Sequence, residues 1–189
     1  LVEGDLLIVQ IGGTPDACLV AFDRKTGEEK WRALSDRASY STPIVIDQTG
    51  QRVLVCWTGD HVAGLDPQSG KVHWKHPFPP KDWVIAIASP VFDAGKLFVS
   101  SFFEGALMLE VDPQRLAVTK TWQRRGASAK QSDGLHSLIS TPLIIGDYVY
   151  GVDGYGEVRC LKAASGERVW EDLTAVPKAR WSTIHAVRN

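Results

Sequence analysis

The chain has 189 residues, 44% hydrophobic and 23% charged, a globular composition long enough for one substantial core or a repeat array and unlike disordered or collagen-like sequences. Its 21 basic and 22 acidic residues are spread along the chain with a net charge of -1, so no basic block can neutralise a phosphate backbone and nucleic acid is not an expected partner. The longest apolar runs, such as "LLIVQI" and "PLII", fall far short of the roughly 18 to 20 residues of a membrane span.

In chain order the predicted elements are short runs rich in Val, Ile, Leu and aromatics, divided by Gly, Asp, Pro and Ser. "GDLLIVQIGG" and "CLVAFDRKTGEEKW" come first, with no leader-like segment before them, so the natural start is expected upstream. "STPIVI", "QRVLVCWTG" and "VAGLDPQSGKVHW" follow, then "ASPVFD", "GKLFVSSFFEG" and "LMLEVDPQRLAVTKTW". A third set, "STPLII", "GDYVYGVDGYG" and "VRCLKAASGERVW", precedes a closing "WSTIHAVRN".

These elements repeat. Trp31, Trp74, Trp122 and Trp170 are 43, 48 and 48 residues apart, and an Asp stands eight residues before the first two. The fourth copy has Lys162 in place of the Asp, and the third stretches the spacing to ten, with Leu116 where Gly27, Gly70 and Gly166 stand. Pro43, Pro90 and Pro142 each open a unit inside a small-residue-Pro pair. No window keeps a helical apolar spacing, so each unit reads as four antiparallel strands. A period of about 45 residues with four strands per unit predicts an all-β fold, a partial β-propeller of about four blades. The expected boundaries are a truncated blade at 1–34, blades at 38–77, 85–125 and 137–173, and the start of a further one at 178–189, with His185 aligned to the Pro. The first copy is expected to begin at Gly4 and to lack its Pro-bearing strand.

In the last hairpin of each unit the Gly permits a positive φ for a tight reversal. The Asp is suited to bonding turn amides, and the Trp to packing between neighbouring sheets as a staple. A phosphate-loop reading of "KTG" fails for want of the glycine frame and a following helix. Cys18, Cys56 and Cys160 lie far apart in apolar runs without metal-ligand spacing and read as buried small hydrophobes. "VDGYGEV" lacks the spaced acids of a calcium loop and reads as a hairpin turn.

The repeated D-x-x-[TS]-G-x-x-x-W with [ST]-P at each opening resembles the tryptophan-docking repeat of the pyrroloquinoline-quinone-like propellers, and the likeness spans the whole chain. That group includes quinoprotein dehydrogenases and the scaffold lipoprotein of the outer-membrane barrel assembly machine, so the resemblance implies an extracytoplasmic location and two function classes. The dehydrogenase class implies a quinone in the channel, calcium on it and an Asp base. This chain has no adjacent cysteines and no stretch matching those ligands, so no catalytic or metal residue is expected, and quinone with calcium belongs only to that alternative.

The binding class places a protein, peptide or glycan partner at the channel mouth, where the loop before each blade's first strand lies. Aromatic, basic and His side chains recur in those loops: Tyr40, Trp83, His136, Arg180 and Trp181 are the candidate ligand-binding residues. Asp133, His136 and Ser137 are the residue types of a hydrolytic triad, but adjacent residues of an extended segment face opposite ways, which argues against one. Missing blades are expected from more of the same polypeptide or from a second copy.

Overall fold

An unbroken apolar run such as Val53–Trp57 sends its side chains alternately to two faces, so it is buried only if a layer covers each. The computed structural model, which describes residues 1–81, 83–128 and 130–187, supplies those layers. Four sheets of four antiparallel strands follow one another, each a meander in chain order. The first blade holds β1 (Val2–Glu3), β2 (Leu6–Gly13), β3 (Ala17–Asp23) and β4 (Glu29–Ala33), and the second β5 (Ile44–Gln48), β6 (Gln51–Trp57), β7 (His61–Leu65) and β8 (Val72–Pro77). The third holds β9 (Val91–Asp93), β10 (Lys96–Ser101), β11 (Gly105–Val111) and β12 (Val118–Arg124), and the fourth β13 (Leu143–Ile145), β14 (Tyr148–Val152), β15 (Val158–Lys162) and β16 (Arg168–Asp172). No helix occurs among the described residues, and the architecture is the partial propeller that the repeats predict.

The core is three apolar layers between four sheets. Leu6, Ile8, Leu19 and Ala21 of the first blade meet Leu54, Cys56, Ala63 and Leu65 of the second. Val53, Val55, Trp57 and Val62, on the opposite face of the second blade, meet Leu97, Val99, Leu107 and Leu109 of the third. Phe98, Ala106 and Met108 then meet Ile144, Val149 and Leu161 of the fourth. The three cysteines are free and buried, and burial pushes the Cys18 thiol up to about 12 and raises those of Cys56 and Cys160.

Every blade carries a bulge between its last two strands, immediately before the tryptophan: Ala21 pairs with Trp31 but Phe22 with Glu29, and the same slip recurs at Gly64/Leu65, Met108/Leu109 and Cys160/Leu161. A bulge re-aims the side chain beside it, here toward the next blade. Trp31 lies on Gly70, where a Cβ would come 2.5 Å from Cε3, and its indole N–H donates to the Pro67 carbonyl (3.1 Å). Trp122 treats the fourth blade alike, over Gly166 and bonded to the Ala163 carbonyl (2.7 Å). Both glycines have positive φ, +71° and +69°, so the hairpin and the ring each demand them. Asp23, Asp66 and Asp112 turn a carboxylate oxygen onto two amides of their own hairpins, as between Asp66 Oδ1 and the N–H groups of Gln68 and Ser69.

Four expectations need correction. β1 pairs with Leu6 and Leu7, so the first copy retains part of its inner strand. Pro43, Pro90 and Pro142 sit one residue before β5, β9 and β13 rather than inside them, where a missing N–H costs the ladder nothing. The staple expected at Trp170 meets no further strand among the described residues, and the ring is 44% exposed. Within the further blade expected at 178–189, residues 178–187 form no strand, and 188 and 189 lie outside the described residues.

Gly70→Ala should lower the unfolding free energy by about 2–5 kcal/mol, combining positive-φ strain with displacement of the Trp31 ring. Gly27→Ala, where nothing lies within 4 Å of the added Cβ, should lose only about 1–2 kcal/mol. Urea unfolding of both variants measures the difference, and equal losses would show that the ring contact contributes nothing.

Candidate functional site

The loops leading into each blade's first strand are hooked to one another by short polar bonds. The Tyr40 N–H donates to the Ala86 carbonyl (3.0 Å) and the Ser41 hydroxyl to that of Ala88 (3.1 Å). One blade on, the Ser89 N–H donates to Thr141 Oγ1 (3.2 Å), and the Ile184 N–H donates to Ser140 Oγ (3.1 Å). Residue 184 thus sits beside the fourth lead-in loop much as Ala88 sits beside the second.

All four loops contribute to one concavity of about 660 Å³. Tyr40, Trp83, Arg180 and Trp181 line it, with Val84, Ile85, Ile87, Leu138 and Phe103. Tyr40 and Trp83 are 75% and 74% exposed, so their rings stand at the surface and not in the core. The Arg180 guanidinium lies over the Trp181 ring, 4.5 Å from its centroid, a cation–π contact that stiffens this wall. The Trp181 N–H donates to the Gly154 carbonyl (2.7 Å), and Lys178 pairs with the buried Glu157 carboxylate (2.7 Å). Burial alone would raise that carboxyl, but the Lys178 bond and neighbouring charges hold it below its ordinary value.

His136 does not join them. It is fully buried, with Nδ1 2.8 Å from the Phe102 carbonyl and Nε2 accepting the Gly126 N–H (3.2 Å), an arrangement that needs the neutral ring with its proton on Nδ1. Its own N–H donates to Asp153 (2.7 Å), whose carboxylate also takes Arg159 Nη1 (3.0 Å). His136 is therefore a strut within the loop that leads into the fourth blade. No triad exists around it, because Asp133 turns to Arg124 (3.2 Å) and the Ser137 hydroxyl donates to the Val152 carbonyl (3.0 Å). "VDGYGEV" is the β14–β15 hairpin, closed by the Gly156 N–H on the Asp153 carbonyl (2.9 Å).

Sequence reasoning missed the apolar floor. "WVIAIASP" alternates Val84, Ala86 and Ala88 with Ile85 and Ile87, and that period of two was the available signal for Ile85 and Ile87 facing the concavity together. Phe103 comes from the β10–β11 turn, not from a lead-in loop, so no reading of the loops alone could include it. Among the described residues no group of three or more His, Cys, Asp or Glu could hold a metal ion, and no helix is long and apolar enough to cross a membrane.

The family described as outer membrane protein assembly factor BamB matches residues 1–172. The chain belongs to this family. No curated protein matches it. Among solved structures, the computationally designed Ika8 protein is similar over the whole chain and 52% of its own length, at 6% identity and a TM-score of 0.62. The quinohemoprotein alcohol dehydrogenase ADHIIG of Pseudomonas putida HK5 is similar over 91% of this chain and 33% of its own, at 14% identity and TM-score 0.53. BamB from Moraxella catarrhalis is similar over 90% and 58%, at 19% identity and TM-score 0.44. The chain thus spans little more than half of the longest-covered of these relatives, and the likenesses show the fold alone.

Burial, above all, holds the His136 imidazole below its ordinary value of 6.5, against the Phe102 carbonyl, which raises it. As pH falls below about 6.5 the unfolded ring takes up a proton that the buried ring does not, so stability declines by at most about 1.4 kcal/mol per pH unit. Urea midpoints taken from about pH 7.5 down to 5.5 should therefore fall more steeply in the native protein than in His136→Gln. Asp153, pushed up to about 7 by burial, titrates in the opposite sense but is common to both proteins. Parallel profiles would remove His136 from this role.

Proposed function

We propose that the chain acts as a non-catalytic binding or scaffold propeller that receives an extended, aromatic-bearing segment of a partner protein in the concavity at its channel mouth. One observation carries the reading: four separate loops converge to expose Tyr40, Trp83 and Trp181 over a floor of Ile85, Ile87 and Leu138. Exposed aromatics on loops tied to a rigid sheet array are costly in water unless something covers them, and a stacked Arg180 adds one charge for orientation. The family's description as an outer membrane protein assembly factor supports a protein partner over a glycan, and with it an extracytoplasmic location.

The alternative, part of a quinone-dependent dehydrogenase, has a structural neighbour in its favour. Its cofactor does not fit the residues present. The described lining of the concavity holds no carboxylate to take calcium, and the described residues offer no donor cluster elsewhere. No chemical step is therefore derived for it.

The test is a titration with strand-like peptides that alternate aromatic and polar residues, read by calorimetry. Trp83→Ala and Trp181→Ala should each weaken binding by roughly 10- to 100-fold, the loss expected of buried aromatic anchors. Affinity unchanged by both substitutions would sink the assignment of this site, and alcohol oxidation by the protein supplied with quinone and calcium would reverse the choice between the two readings.

A further inference from the structure

The concavity holds one cation to which the described residues bring no counter-charge. Arg180 follows the fourth blade in the chain, yet its guanidinium leans inward: it lies 4.5 Å from the Trp181 ring centroid and 5.9 Å from that of Phe102, in the β10–β11 turn of the third blade. Phe102 is buried and packs against Phe103 (5.0 Å between centroids, edge to face) and Tyr155 (5.9 Å), so aromatic rings back this end of the concavity. The acids of the neighbouring turns hold other cations: Glu104 holds Arg125 (2.9 Å), Glu157 holds Lys178 (2.7 Å) and Asp153 holds Arg159 (3.0 Å). Among the described residues no carboxylate meets Arg180, and none lines the concavity. A guanidinium covered on its face by a ring still directs its N–H groups outward in its own plane, in the fork that a carboxylate matches.

We propose, resting on the reading that the concavity receives an extended polypeptide, that the bound segment pairs an Asp or Glu side chain with Arg180 and lays an aromatic side chain, two residues away, on Ile85 and Ile87. Charge complementarity selects the acid. A single cation in an otherwise uncharged, largely apolar lining attracts a carboxylate more strongly once the occupant has displaced the water around it. The spacing follows from extended backbone: adjacent side chains face opposite ways, so residues two apart, about 7 Å, reach the lining together. The lining runs from Tyr40 before the second blade to Arg180 after the fourth, so the segment crosses it from side to side and the acid belongs to a side chain along it, not to a chain end.

Calorimetry with strand-like peptides capped at both ends tests the pairing. A peptide with Glu two residues from Trp should bind roughly 10- to 100-fold more tightly than the same peptide with Gln, and the advantage should shrink as salt is raised. Moving the Glu next to the Trp should abolish the advantage. Arg180→Gln should abolish it too, at an exposed position where circular dichroism should be unchanged, and Arg180→Glu should instead favour a peptide with Lys in place of the Glu. Equal binding of the Glu and Gln peptides overturns the pairing, and leaves the concavity as the binding site if Trp83→Ala still weakens both. An uncapped peptide without Glu that binds as tightly as the capped Glu peptide overturns it in favour of a chain end. Failure of every peptide to bind overturns the pairing together with the reading on which it rests.

Discussion

The inner sheets of this protein are apolar on both faces, and every other feature depends on each face meeting a neighbour. A sheet of four short strands is marginal alone; stacked against a second, it buries both apolar sets. The tryptophans concentrate that stabilisation at the rim. A buried indole removes about 150–250 Å² from water, worth roughly 4–6 kcal/mol at 25 cal/mol per Å², which outweighs the roughly 1 kcal/mol by which a glycine loosens the unfolded chain. Gly70 and Gly166 therefore stabilise the fold by what they lack.

The stapling residues and the exposed aromatics occupy different parts of the molecule. Stapling residues sit on the outer hairpins, whereas the concavity is built from loops on the channel side, held by hydroxyl-to-backbone bonds at Ser41 and Ser140. In the loop that leads into the fourth blade the neutral His136 and the Asp153–Arg159 pair fix the backbone from inside, so the exposed aromatics above project from a braced surface. Substitutions at the mouth are thereby separated from stability. Tyr40 and Trp83 contribute little to the core, and the core side chains do not reach the solvent that a partner would displace.

What could be read in the sequence followed from what repeats. Trp, Gly, Asp and Pro recur at fixed spacings because each serves a local backbone need, and local needs survive translation from one blade to the next. The blade count, the hairpin glycines and the convergence of Tyr40, Trp83, Arg180 and Trp181 came from that regularity. His136 misled because type and position in a loop suggest exposure, while burial depends on the Phe102 carbonyl brought from the β10–β11 turn of the third blade and on the Gly126 backbone ten residues back in its own loop. The bulge before each tryptophan was hidden for a related reason: one extra residue in one strand is visible only against its partner strand.

The joint between the second and third blades departs from the others. With Leu116 in place of a glycine, the Trp74 ring turns back over Gly64 of its own sheet, and its N–H donates to Gln48 Oε1 (3.0 Å). The same amide passes the connection on, Gln48 Nε2 donating to the carbonyls of Ala117 (2.8 Å), Arg115 (2.9 Å) and Asp112 (3.2 Å). Interchangeable joints would let similar blades pair out of order during folding, the characteristic error of repeat proteins. A joint that needs a glutamine on one side and a leucine hairpin on the other accepts only its own partner. The degenerate repeat thus works as an index mark, telling four look-alike blades which of them stands in the middle.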